Sequence, residues 1–238
     1  MSEANDLLAE GGLVAQRSNK KRTMKALILV DLQNDFCALG ALAVKEGEQV
    51  VPIANRLMAH FDLVVATQDW HPADHGSFAA NHLWRYPGQV IDLNGLQQVL
   101  WPIHCVNESY GAEFHRDLKV EGITKIFQKG TDKEVDSYSG FYDNGHRKST
   151  GMGDYLKEQN VTEVYVMGLA TDYCVKFTAL DSIDLGFKTY LITDASRGVN
   201  LEEGDVEKAI EEMSAKGVEL VESSVLGECC TLFLKNIE

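Results

Sequence analysis

Four reactive side chains follow four consecutive apolar runs of the sequence. Asp31, Asp69 and Lys129 each lie within a few residues of such a run, and Cys174 follows a fourth run after a short connecting segment. In open α/β sheets, ligands bind beyond the carboxyl ends of the strands. The sequence therefore predicts that these four side chains meet at one edge of a sheet.

Cys174 lies at the start of a predicted helix, where the helix dipole would lower the pKa of its thiol. A nearby lysine ammonium would lower that pKa further, and an aspartate carboxylate could accept the proton. Each residue type also has an ordinary structural role, as a helix cap, a solvated charge or a small buried side chain. Their convergence favours a nucleophilic set of cysteine, aspartate and lysine.

A second group of residues has the composition of a metal site. Asp69 and His71 are separated by one residue, so both side chains point to the same face if the strand continues through them. His104 could join them from a long loop. Two histidines and a carboxylate leave open positions on Zn²⁺, Fe²⁺ or Mn²⁺. The alternative from the residues alone is that they are turn residues without a ligand.

The elements that would position these residues alternate along the chain. Strands are predicted at six apolar runs and helices at four amphipathic segments, with one further short helix near 93–100. Such alternation is typical of an α/β fold, here a three-layer αβα architecture with a central six-stranded, mainly parallel sheet. The strand runs are 26–30, 63–66, 125–127, 164–167, 189–192 and 218–221, and the helical segments are 48–60, 151–159, 173–185 and 204–216.

Composition excludes several classes of function. The chain has 238 residues and a formal net charge of -14, which disfavours nucleic acid and anionic membrane surfaces as partners. No segment approaches the ~18 consecutive apolar residues that a spanning helix needs. Five cysteines at irregular spacings indicate a reducing compartment, so we expect a cytoplasmic protein. The oligomeric state, including a homo-oligomer, stays open.

The domain organisation is simple. Residues 1–23 have no sustained apolar period and are predicted to be a disordered N-terminal extension. Residues 24–238 contain no repeat, linker or change in composition, and they are predicted to form one domain.

Six ordered motifs match a known family. They run from residue 24 to about residue 227 and resemble the nicotinamidases of the isochorismatase-like cysteine hydrolase superfamily. The motifs are VDLQNDF at 30–36, QDWHP at 68–72, WPIHC at 101–105, FQKG at 127–130, YSGF at 138–141 and GLATDYCV at 168–175.

The resemblance implies roles for the nucleophilic set. Cys174 matches the nucleophile, Asp31 the general base and acid, and Lys129 the cation that holds the thiolate. The backbone N–H groups of Ala170 and Cys174 match an oxyanion hole, formed beside a cis peptide bond between residues 169 and 170.

The resemblance also implies a metal and a substrate pocket. Asp69, His71 and His104 match the ligands of one divalent metal ion, either Zn, Fe or Mn, and His75 is left open as a further ligand because its spacing is shorter than in members that use one. Aromatic side chains match the walls of a pocket for a flat pyridine ring, and these are Phe36, Trp101 and Tyr138.

The activity implied by the resemblance is hydrolysis of nicotinamide to nicotinate and ammonia through a cysteine thioester, in NAD salvage, with pyrazinamide as a second small-molecule substrate. Two alternatives stay open at this point. One is another amide or N-carbamoyl hydrolase of the same superfamily, and the other is a non-catalytic module that binds a metal or a ligand.

Overall fold

A computed structural model of the chain describes residues 24–227. The predicted extension over 1–23 lies outside the described residues, as do Cys229 and Cys230. Among the described residues, no helix is both long and apolar enough to cross a membrane.

The strands form a six-stranded sheet and a separate two-stranded one. Five of the six predicted runs lie within strands of the larger sheet, and the sixth, 218–221, begins one residue before its last strand. Every neighbouring pair in this sheet is parallel. The predicted α/β fold is therefore confirmed. In chain order the strands are β1 (Met24–Val30), β2 (Leu63–Asp69), β3 (Val90–Leu93), β4 (Leu96–Val99), β5 (Lys125–Lys129), β6 (Val161–Leu169), β7 (Lys188–Arg197) and β8 (Glu219–Val221).

Four of the α-helices follow the predicted segments within a few residues, and a fifth, over Ser223–Gly227, was not predicted. The segment predicted at 173–185 begins with a π-helical turn over Thr171–Val175 before it continues as an α-helix. The α-helices are α1 (Val50–Leu57), α2 (Met152–Glu158), α3 (Lys176–Asp184), α4 (Asp205–Ala215) and α5 (Ser223–Gly227).

Two apolar cores enclose the sheet. Leu27 and Leu29 of β1 belong to a core that contains the buried side of α1. Ala26, Ile28 and Val30 point the other way, into a core that α2, α3 and α4 complete. Alternate residues of one strand thus feed opposite cores, which explains the continuous apolar run in β1 and gives the predicted three layers.

The strand order creates a single reversal in the middle of the larger sheet. The order is β5-β2-β1-β6-β7-β8, so the chain builds outward from β1 on one side and then returns to build from β6 on the other. Connections that leave β1 and β6 in opposite directions open a crevice beyond the carboxyl ends of these strands. Asp31 and Cys174 follow these two strands.

The short helix predicted near 93–100 is wrong, because this segment belongs to a β-hairpin. β3 and β4 pair antiparallel, with residue 93 opposite residue 96. The two residues between them are Asn94 and Gly95, with φ angles of 53° and 86°. This turn requires positive φ at both central residues, and Asn-Gly is its preferred sequence.

Candidate active site

Three of the four predicted side chains lie at the carboxyl end of the sheet on neighbouring strands. Asp31 follows β1 with a left-handed φ of 51°. Asp69 is the last residue of β2, and it pairs in register with Lys129, the last residue of β5. Cys174 reaches the same edge from the π-helical turn after β6. The predicted convergence is therefore present in the structure.

Lys129 lies at the centre of this group and is almost completely buried. Its Nζ lies 3.0 Å from Oδ2 of Asp31 and 2.5 Å from Oδ1 of Asp69. The same ammonium donates to the backbone carbonyl of Ser137 at 2.9 Å and lies 3.4 Å from the sulfur of Cys174. Burial alone would lower the pKa of Lys129, but the two carboxylates outweigh it and hold that pKa well above its usual value.

Asp31 is held by a hydrogen bond that the sequence did not indicate. The hydroxyl of Thr67 donates to Oδ1 of Asp31 at 2.6 Å and accepts from the backbone N–H of the same residue at 3.2 Å. Complete burial raises the pKa of Asp31, although the ammonium of Lys129 opposes this effect. A raised carboxyl pKa suits a group that must both accept and return a proton.

Cys174 has a free, buried thiol. Its sulfur and the carboxylate oxygens of Asp31 and Asp69 lie within 4.8 Å of one another. Burial raises the pKa of this thiol well above its usual value, and Lys129 opposes the increase without overcoming it. The predicted lowering of this pKa is therefore wrong for the buried site as it stands. A neighbouring base must take the thiol proton when the sulfur reacts, and Asp31 is within reach.

Three buried side chains form a group that could hold a metal ion. Nε2 of His71 lies 3.5 Å from Oδ2 of Asp69, and Nε2 of His104 lies 3.8 Å from the same oxygen. The other ring nitrogen of each histidine is 2.8 Å from a backbone carbonyl. Donation from Nδ1 to these carbonyls leaves a lone pair on Nε2, which is the arrangement of histidine ligands in metal sites. The donor set therefore fits a divalent ion.

His75 lies directly beside this group. Its ring centroid is 4.4 Å from that of His71, and its Nδ1 is 2.7 Å from the hydroxyl of Ser77. Its Nε2 is buried without a hydrogen-bond partner. Burial lowers the pKa of His75 to about 4, so the imidazole is neutral at physiological pH. An unpartnered, neutral imidazole nitrogen next to the three donors also fits a metal ion.

A cavity opens between the two groups. Cys174 and Ala170 line one part of it, and Asp69 and His104 line another. The Leu169–Ala170 peptide bond is cis, as the resemblance implies. The nucleophilic set and the candidate metal ligands thus border the same space.

The walls of this cavity are largely aromatic. The predicted Phe36, Trp101 and Tyr138 all line it. Trp101 donates through Nε1 to the hydroxyl of Tyr138 at 3.1 Å, and the side chain of Gln98 donates to the same hydroxyl at 3.1 Å. Since Gln98 belongs to β4, the hairpin that sequence analysis misassigned braces one wall of the cavity.

Sequence analysis missed several lining residues. Tyr173 packs edge-on against Trp101 with ring centroids 4.8 Å apart, and its position next to Cys174 could have drawn attention to it. Val199 lies just past the carboxyl end of β7, so the rule that identified the other site residues applies to it as well. No sequence signal points to the other two lining residues, Leu42 and Asp136.

Comparison with known protein families identifies the family to which this chain belongs. The isochorismatase domain matches residues 25–224, which is most of the chain. The chain belongs to the isochorismatase family. This membership confirms the resemblance that the six motifs carry.

Relatives within the family are nicotinamidases and pyrazinamidases. The nicotinamidase of Escherichia coli is 53% identical over 202 residues, a match that covers 82% of this chain and 93% of the relative. A nicotinamidase/pyrazinamidase structure from Acinetobacter superposes with a TM-score of 0.83 at 44% identity, covering 87% of this chain and 100% of the other. The pyrazinamidase of Pyrococcus horikoshii, solved in complex with zinc, has a TM-score of 0.68 at 37% identity and covers 84% of this chain and 99% of its own.

Proposed function

We propose that this protein is a nicotinamidase that hydrolyses nicotinamide to nicotinate and ammonia. The observation that carries the proposal is the Lys129 ammonium, which lies 3.4 Å from the Cys174 sulfur and 3.0 Å from the Asp31 carboxylate. Cys174 itself lines the aromatic cavity. The Escherichia coli relative, at 53% identity, supports the same activity.

In the first half of the reaction Cys174 becomes acylated. Its sulfur attacks the carboxamide carbon while Asp31 takes the thiol proton, which gives a tetrahedral intermediate. The backbone N–H groups of Ala170 and Cys174 donate to the oxyanion. Asp31 then returns the proton to the departing nitrogen, the C–N bond breaks, and ammonia leaves a nicotinoyl thioester on the sulfur.

In the second half water releases the acyl group. Asp31 accepts a proton from a water molecule while the oxygen of that water attacks the thioester carbon. The C–S bond then breaks, the sulfur recovers the proton from Asp31, and nicotinate leaves. Lys129 stays protonated throughout, because two carboxylates hold its pKa high, and it stabilises negative charge on the sulfur.

The candidate metal ligands serve substrate binding in this proposal. Asp69, His71 and His104 would hold one divalent ion, and their donor set would accept zinc, iron or manganese. Such an ion, when bound, supplies a ligand position for the ring nitrogen of the substrate and so orients the ring. Both ring faces are buried against the aromatic walls, formed by Phe36, Trp101 and Tyr138.

Pyrazinamide has the same carboxamide on a ring of nearly the same shape, so it is proposed as a second substrate. The nicotinate produced would enter pyridine-nucleotide (NAD) salvage. A reactive cysteine that must stay reduced suits the cytoplasm.

A panel of three amides tests this proposal. We expect ammonia release from nicotinamide and pyrazinamide, and a kcat/KM for benzamide at least ~100-fold lower, because benzamide lacks the ring nitrogen. That gap should shrink in His71→Ala, in which neither amide can use the metal. No ammonia from nicotinamide would contradict the activity, and equal turnover of nicotinamide and benzamide would contradict the role of the metal group.

A further inference from the structure

Asp172 is a buried carboxylate that the mechanism above does not use. It lies two residues before Cys174 in the π-helical turn and is 5% exposed. Its Oδ1 accepts a hydrogen bond from the backbone N–H of Val199 at 3.0 Å, and its Oδ2 accepts one from the backbone N–H of Asn200 at 2.7 Å. Both oxygens thus bind consecutive amides of one loop.

This loop forms part of the cavity wall. It leaves β7 after Arg197, and Val199 lines the same cavity as Cys174. The side-chain oxygen of Asn200 accepts from the backbone N–H of Asp205 at 3.0 Å, which anchors the far end of the loop at the start of α4. Val199 is therefore held between the π-helical turn that carries Cys174 and the start of α4.

The loop also passes close to the Asp172 carboxylate. A Cβ atom built on Gly198 would overlap the side chain of Val206 and would lie 3.1 Å from Oδ1 of Asp172. No larger residue fits at position 198 without a shift, so the backbone can approach the carboxylate closely. The absence of a side chain at Gly198 therefore permits the close contact between the loop backbone and the Asp172 carboxylate.

We propose that Asp172 is a positioning residue that sets substrate specificity by fixing Val199 relative to Cys174. The inference rests on the proposed function and extends it to a residue that touches no substrate. The Asp172 carboxylate joins the π-helical turn that carries Cys174 to the loop that carries Val199. The width of the cavity at Val199 then depends on that link, and the link selects for a single aromatic ring.

Asparagine is a sharp probe of this link because it is nearly isosteric with aspartate. Its one side-chain oxygen can accept from one of the two amides, while its NH₂ group meets the other N–H as donor against donor. Hydrogen bonds to a charged acceptor are also stronger than those to a neutral one. Asp172→Asn should therefore release one end of the loop without changing side-chain volume.

The kinetic test compares nicotinamide with a two-ring amide, quinoline-3-carboxamide. In Asp172→Asn we expect the KM for nicotinamide to rise about tenfold with kcat changed much less, as for the loss of one charge-assisted hydrogen bond. The preference for nicotinamide over the larger amide should fall. In a Val199→Ala background the same substitution should change that preference little, because the wall side chain through which it acts is gone.

A matched control uses another carboxylate that accepts two hydrogen bonds, in this case both from one residue. Asp194 on β7 accepts from the backbone N–H of Ser223 at 2.8 Å and from its hydroxyl at 2.5 Å. Neither residue lines the cavity. Asp194→Asn should lower stability without changing the preference between the two amides. An equal loss of preference in both variants would reduce the role of Asp172 to general stability and overturn the inference.

Hydrogen exchange separates this inference from the proposed function. The backbone amides of Val199 and Asn200 should exchange faster in Asp172→Asn than in the wild type and Asp194→Asn. Unchanged exchange would overturn the link, whether or not the wild type hydrolyses nicotinamide. Faster exchange with an unchanged KM and unchanged preference would overturn the assignment of specificity. Absence of ammonia release by the wild type would instead contradict the proposed function.

Discussion

Lys129 supplies the cation that both buried carboxylates of the nucleophilic site contact. Asp31 and Asp69 are buried carboxylates, and both lie against its ammonium. In Lys129→Met these two groups lose their cation. Breaking a buried pair by removing one partner costs about 3–5 kcal/mol. We expect a decrease of this size in the free energy of unfolding, measured by urea denaturation, together with loss of activity.

Two further variants make this prediction specific. Asp31→Asn in the Lys129→Met background should recover part of the lost stability, because one uncompensated charge is removed. Lys133→Met is the control, since Lys133 pairs with Asp74 at 2.9 Å on the exposed surface, and its unfolding free energy should stay near that of the wild type. A Lys129→Met protein as stable as the wild type would show that the buried charges do not depend on this cation.

At the residue scale, the chemical identity of the site was accessible from the sequence but its electrostatics were not. Asp31, Lys129 and Cys174 were found from their positions after apolar runs. The direction of the pKa shift of Cys174 could not be predicted in the same way. It depends on whether burial of the thiol, which raises its pKa, outweighs the effect of the Lys129 ammonium, which lowers it. Burial of this kind is a property of the assembled layers, which no local motif specifies.

At the scale of elements, the end of β5 supports the metal group through its backbone. Gly130 has a φ of 64°, and a Cβ atom there would overlap the ring of His71. The carbonyl of Gly130 also faces Nδ1 of that ring at 2.8 Å. Gly130→Ala should displace the imidazole and weaken zinc binding by about 10- to 100-fold, the usual effect of losing support behind a ligand.

Gly151 supplies the matched control for this prediction. Its φ is 84°, and a Cβ atom there would meet nothing within 4 Å. Alanine at either position carries a left-handed backbone cost of about 1–2 kcal/mol, but only Gly130→Ala reaches a candidate ligand. Zinc affinity, measured by competition with a chelator, should therefore fall in Gly130→Ala and stay unchanged in Gly151→Ala. Equal zinc affinity of the two variants would contradict the support that residue 130 gives to the site.

The elements themselves were largely predictable, with one informative exception. The inner strands β1, β2 and β6 are largely buried on both faces, so their apolar runs stand out from the sequence. The hairpin over 90–99 was not predicted, although Asn94-Gly95 is a sequence that hairpin turns prefer. Its strands are only partly buried, and they carry little apolar pattern of their own.

At the scale of the whole molecule, topology assembles the site. The reversal between β1 and β6 opens the crevice that receives Asp31 and Cys174. A rule about strand ends could therefore predict which residues converge. Loop contributions such as Leu42 and Asp136 could not be predicted, because long connections reach the cavity by tertiary packing without a repeating pattern.

The central claim is that nicotinamide is hydrolysed through a thioester on Cys174. The most direct measurement is the ratio of nicotinohydroxamate to nicotinate formed in the presence of hydroxylamine, starting either from nicotinamide or from methyl nicotinate. A shared nicotinoyl thioester predicts the same ratio from both substrates, and neither enzymatic product with Cys174→Ala. A ratio that depends on the leaving group, or hydrolysis that persists in Cys174→Ala, would contradict the account.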